Sequence, residues 1–135
     1  MSRFTCAAVL LAALSAACSN SPTVTTPTPT TPVYVTDTFA GTLTRNGATT
    51  FPFSVSTQGA VTANLTSVGD ASLTIGMSLG SWNGTACNIL LANDQAKQGV
   101  TMVGTASGIG TLCLRVYDVG QVTTPVDYTV TVTHP

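Results

Sequence analysis

From Asp37 onward the chain alternates short apolar-rich runs with turn signals at even spacing. TFAGTLT (38–44) ends at Arg45-Asn46-Gly47, and TTFPFSVS (49–56) ends at Gln58-Gly59. AVTANLTSV (60–68) runs to Gly69-Asp70, and SLTIGMSL (72–79) runs to a Gly80–Gly84 loop that contains Trp82. TACNILLAND (85–94), VTMVGTA (100–106), TLCLRVYDV (111–119) and VDYTVTVT (126–133) complete the set. These segments predict eight strands and no helix, which reads as an all-β sandwich or barrel. Period-two alternation is cleanest in the last two. It sets Leu112, Leu114 and Val116 against Cys113, Arg115 and Tyr117, and Tyr128, Val130 and Val132 against Thr129, Thr131 and Thr133. The first set of each pair is expected to face the core. Asn46-Gly47 is a hairpin signal because both residues tolerate positive φ. Pro52 lacks a ladder donor, which places its strand at an edge or gives it an irregular start.

The first 36 residues follow another pattern. Arg3 precedes an apolar run, Phe4 to Ala17, interrupted only by Thr5, Cys6 and Ser15. A spanning helix needs about 20 apolar residues, so the run suits a cleavable export signal better than a membrane anchor. Small residues Ser15, Ala16 and Ala17 lead directly to Cys18. The stretch LSAAC resembles the lipobox of bacterial lipoproteins, although Leu14 stands one place further from the cysteine than is usual. The resemblance implies cleavage after Ala17, diacylglycerol on the Cys18 thiol, and a membrane attachment made by that lipid. Ser19 after the cysteine resembles the default for sorting to the outer membrane. The competing reading is a plain secretory signal with Cys18 incidental. SNSPTVTTPTPTTPVYV (19–35) then reads as a semi-stiff arm, since proline and β-branched threonine both favour extension. At about 3.1 Å per residue it reaches on the order of 50 Å. Residues 1–17 are therefore expected as signal, 18–36 as lipidated linker and 37–135 as the folded domain.

Composition sharpens the exclusions. The chain of 135 residues carries four Lys and Arg against five acidic residues, all aspartate, for a net charge of −1. Without a basic patch, nucleic acid is not an expected partner. Thr, Ser, Asn and Gly supply most of the polar surface, and a composition rich in β-branched residues and poor in Glu, Lys and Arg favours strands over helices.

The order of motifs also resembles the bacterial pre-peptidase C-terminal domain family. TFAGTL, then FPFSV, then GAVTANL, and late GTLCLRV and YTVTV, match its glycine and strand pattern from Phe39 to Thr133, with Leu112 where an aromatic is usual. The resemblance implies an eight-stranded, jelly-roll-like antiparallel sandwich. It also implies a non-catalytic module of the kind that accompanies secreted hydrolases.

Cys6 leaves with the signal and Cys18 carries lipid, so Cys87 and Cys113 are expected to pair in an exported domain. The rival is a thiol or metal site, but one distant histidine does not complete a zinc set. His134, near the end of the chain, is expected as an exposed tail residue unable to hold a base in place. No enzyme activity, cofactor or metal is expected. Asn93, Asp94 and Asp118 offer oxygen ligands for calcium, yet they read first as turn formers. Trp82 and Tyr117 are the candidate contacts for a glycan or a protein partner in the envelope. For Trp82 the competing reading is a ring covering one end of the core. Asn64 and Asn83 stand in glycosylation sequons.

Overall fold

The computed structural model describes residues 25–28 and 30–135, so the segment expected as a signal and the expected lipidation site Cys18 lie outside the described residues. Eight strands form two four-stranded antiparallel sheets. They are β1 (Val35–Leu43), β2 (Ala48–Val55), β3 (Gly59–Val68), β4 (Ile75–Trp82), β5 (Cys87–Ala96), β6 (Thr101–Ala106), β7 (Gly110–Tyr117) and β8 (Val126–His134). One sheet runs β1-β8-β3-β6 and the other β2-β7-β4-β5, the interleaved order of a jelly roll. All eight expected strands are present.

Strand periodicity builds the core. Leu114, Val116, Tyr128, Val130 and Val132 are buried with Leu65, Ile75 and Met77 between the sheets, as alternation requires. Pro52 sits in β2, an edge strand, opposite Cys113. The core is aromatic toward the β1–β2 side, where Phe39 stacks on Phe51 at 5.0 Å and Phe51 meets Tyr128 edge-on at 6.4 Å.

Three expectations need correction. The turn at Asn46-Gly47 closes with a bond from Gly47 N–H to Thr44 carbonyl, and Asn46 takes φ +56°. It does not make a hairpin: β1 and β2 belong to opposite sheets, and the turn is a corner between them. The fold begins at Val35 rather than Asp37, and the Tyr34 hydroxyl ahead of it accepts a bond from Ala60 N–H. Finally, His134 is not a frayed tail. Only 3% exposed, it ends β8 paired with Val35, its ring against Phe53 at 5.0 Å and its Nε2 3.1 Å from Asp37 Oδ2. The following Pro135 carbonyl accepts from Ser56 N–H, which fastens the strand end.

Strand β5 breaks alternation for a visible reason. Leu79 pairs with Leu91 and Gly80 with Ile89, so Leu90 is an extra residue in a bulge. A second bulge falls between the Ile75–Ala96 and Met77–Asn93 pairs, around Asp94 and Gln95.

Candidate functional site

Registered residues of neighbouring strands share a face, so the outer surface of the β2-β7-β4-β5 sheet can be read from its pairings. Ile75, Met77 and Leu79 point inward, which leaves Gly76, Ser78, Gly80 and Trp82 outward on β4. Opposite them on β7 stand Tyr117 beside Gly76, Arg115 beside Ser78 and Cys113 beside Gly80.

The two glycines have separate tasks. At Gly76 the ring of Tyr117 lies across the strand, where a Cβ would stand 2.2 Å from the Tyr117 Cε2. The ring thereby reaches from β7 over β4 to the β5 bulge, and its hydroxyl donates to Asp94 Oδ1. Arg115 places its guanidinium 5.1 Å from the centre of that ring. At Gly80 the carbonyl oxygen of Asn88 takes the space of a side chain, 2.1 Å from where a Cβ would be. Here the start of β5 folds over β4 and brings Cys87 within disulfide reach of Cys113, at a Cα–Cα distance of 5.8 Å. Strands two places apart normally lie about 9–10 Å from each other, so this approach depends on the missing side chain. The expected Cys87–Cys113 disulfide is present.

Beside Tyr117 the end of the sandwich opens into a polar cleft of about 540 Å³, lined by Thr74, Asp94, Gln95, Tyr117, Asp118, Val119 and Gln121. Its size falls within the range of small-ligand sites, roughly 300–1,000 Å³. Asp118 builds one wall. Its Oδ1 accepts from the backbone N–H of Gly120, Gln121 and Val122 at 2.8–3.0 Å. Its Oδ2 accepts from Asn46 N–H at 2.8 Å. Desolvation works against the charged form, but these four donors outweigh it and hold the carboxyl below its ordinary pKa. The loop is thus tied to the β1–β2 corner, and Asp118 N–H returns a bond to the Gly47 carbonyl. Asp94 differs: Tyr117 occupies one oxygen, while Oδ2 has no hydrogen-bond partner among the described residues. Desolvation first, then the bond and charge of Asp94, push the Tyr117 phenol up to about 12.

The structure therefore brings Tyr117, Asp94 and Asp118 together and leaves Trp82 apart. Trp82 ends β4 in strand rather than loop conformation, opposite Cys87 and outside the core. Six residues separate it from Gly76, about 20 Å along the strand. Gln95, Gln121 and Thr74 carried no sequence signal, because their meeting depends on a bulge and two interstrand loops. Asn93 serves its own turn by accepting from Gln95 N–H. Among the described residues no three carboxylate, histidine or cysteine side chains are placed to hold a metal. Asn64 donates to the Thr101 hydroxyl, and Asn83 caps the β4–β5 loop by accepting from Thr85 and Ala86. His134 stands at the far end of the sandwich, by Phe53, whereas the cleft borders Tyr117 opposite Ala48. Both its ring nitrogens face acceptors, Asp37 and the Pro135 carbonyl. No protein-family model matches this chain, and no curated protein matches its sequence.

Proposed function

We propose that this is a bacterial lipoprotein: a non-catalytic β-sandwich held to the cell envelope, in the outer membrane, by lipid on Cys18, which binds an envelope or cell-surface glycan. The anchor reading rests on LSAAC followed at once by a Thr/Pro arm. The binding reading rests on the cleft, whose carboxylates serve structure. Four backbone donors saturate Asp118, and Tyr117 restrains Asp94. Hydrolysis of a glycosidic bond by carboxyl groups needs two acting as a pair, and with Asp118 saturated and held ionised only one Asp94 oxygen is left open. The strand and glycine order that resembles pre-peptidase C-terminal domains agrees with an accessory module.

Two measurements test this. Palmitate labelling of the full-length chain in a bacterium should mark the wild type and not Cys18→Ala; equal labelling of both would refute the anchor. Pull-down on cell-wall polysaccharide should retain the protein. A second reading, a structural subunit that packs on another envelope protein, is favoured by the exposed apolar run Ile89, Leu90 and Leu91 on edge strand β5. Stoichiometric co-purification of a partner, abolished by Leu90→Asp, together with no polysaccharide retention, would favour that reading over the first.

A further inference from the structure

We infer that the cleft beside Tyr117 takes an uncharged saccharide, gripped by the free Asp94 oxygen, and rejects acidic ones. This rests on the glycan-binding reading above and assigns it a site and a ligand class.

The lining is chemically narrow. Gln95 and Gln121 supply primary amides, Thr74 and Tyr117 supply hydroxyls, and Asp94 supplies a solvent-exposed carboxylate oxygen that no side chain or backbone group among the described residues takes. Amides and hydroxyls both donate and accept, and a carboxylate oxygen accepts. Sugar hydroxyls are complementary to such a set, because each donates one bond and accepts others. Val119 is the one aliphatic side chain in the lining, so an apolar ligand would gain little there. The ring faces of Tyr117 are not free for stacking: one lies on Gly76, and a guanidinium sits over the ring. Recognition must therefore come from hydrogen bonds at the rim of the ring.

Charge supplies the selectivity. Two carboxylates line the cleft, while the nearby cation, Arg115, lies over the Tyr117 ring and outside the lining, so the negative charges outnumber it. Asp118 is held ionised by its backbone donors, so its charge persists through the neutral range. A uronic acid or another acidic sugar would bring a third negative charge into this space. Asp94 is fixed in position because Tyr117 holds its other oxygen, and the phenol remains a proton donor at any physiological pH. The acceptor is thus pre-set, which lowers the ordering cost of binding.

The test uses the full lipidated chain in detergent, titrated by calorimetry with cellohexaose, maltoheptaose, chitohexaose and, as the acidic probe, an oligogalacturonide. Binding of at least one neutral oligomer and none of the acidic one is expected. Asp94→Asn keeps an oxygen for Tyr117 but replaces the free acceptor by a donor, and should weaken binding at least tenfold. Circular dichroism and an intact disulfide verify its fold. Binding unchanged in Asp94→Asn but lost in Trp82→Ala would overturn the cleft assignment while leaving the glycan reading standing. So would tighter binding of the oligogalacturonide. Binding that disappears with EDTA would also overturn it, since a cation would then be reading the sugar. No binding to any of the four oligomers, with retention on cell-wall polysaccharide also absent, would refute both.

Discussion

Replacing Gly80 with alanine should damage this protein through its disulfide rather than through β-propensity. The new methyl group would stand 2.1 Å from the Asn88 carbonyl oxygen and 3.0 Å from the Ile89 Cα. Both contacts are backbone, so no rotamer change relieves them. The start of β5 must lift, yet Cys87 at that start is fastened to Cys113 of β7 across β4. With the two cysteines 26 positions apart, the chain-entropy relation assigns the disulfide about 3.5 kcal/mol. In a folded domain of about 100 residues its loss should lower Tm by roughly 15–25 °C. Overpacking against fixed backbone costs about 1–3 kcal/mol, and Gly80→Ala in the oxidised protein should fall at the upper end. When Cys87 and Cys113 are both alanine, β5 is free to move off Gly80 and the same substitution should cost markedly less. The assay is a double-mutant cycle by urea denaturation, with wild type, Gly80→Ala, the double cysteine variant and the triple variant. Neighbours that share a constraint couple by about 0.5–3 kcal/mol, and we expect about 1 kcal/mol or more here. Additivity within about 0.3 kcal/mol would refute the argument, because the glycine and the disulfide would then be independent.

Two further outcomes follow from single groups. Spectrophotometric titration of the three tyrosines should show Tyr117 ionising near 12, not at the ordinary 10. Because the folded protein holds that proton more tightly than the unfolded chain, stability should be flat below about pH 10 and fall between about 10 and 12. Asp94→Ala should bring the phenol down, and an unmoved value would dismiss the contact. The hydroxyl of Tyr128 is buried, 2.8 Å from where a Cβ at Gly41 would be, and makes no hydrogen bond of good geometry, although the Thr49 side chain is close enough to act on it. Tyr128→Phe removes a poorly satisfied buried polar group, forfeits only the weak Thr49 contact and keeps the ring, so urea denaturation should show it neutral or more stable by up to about 1 kcal/mol. A loss above 1 kcal/mol would mean that the hydroxyl is satisfied.

How much of this was legible beforehand follows from the range of each signal. Period-two alternation identified Leu114, Val116, Tyr128, Val130 and Val132 as core, because facing in or out is a property of one strand. Glycine and asparagine marked the turns, and the absence of proline donors put β2 at an edge. Two cysteines left over once Cys6 and Cys18 are read as signal and anchor indicated their own pairing, and the disulfide is present. None of this says which strand a strand will pair with. Asn46-Gly47 has the residues of a hairpin, yet it turns a corner between sheets, and of the eight strands only β4 and β5 are both consecutive and paired. That choice is made by burying two apolar faces against each other, which no local segment can do alone. His134 shows the same limit: its position in the chain suggested a loose tail, while β1 and Phe53 gave it a pocket and a carboxylate. The assembly of the cleft belongs to the tertiary structure, although the local turn at Asp118 does not. Asp94, Tyr117 and Gln121 meet because a bulge re-aims one strand, a glycine lets a ring cross another, and four backbone donors fold a loop around Asp118. The first two events join residues far apart in sequence, where alternation and turn chemistry carry no information; in the third, three donors lie within four residues of Asp118, as its reading as a turn former implies, and only Asn46 is distant.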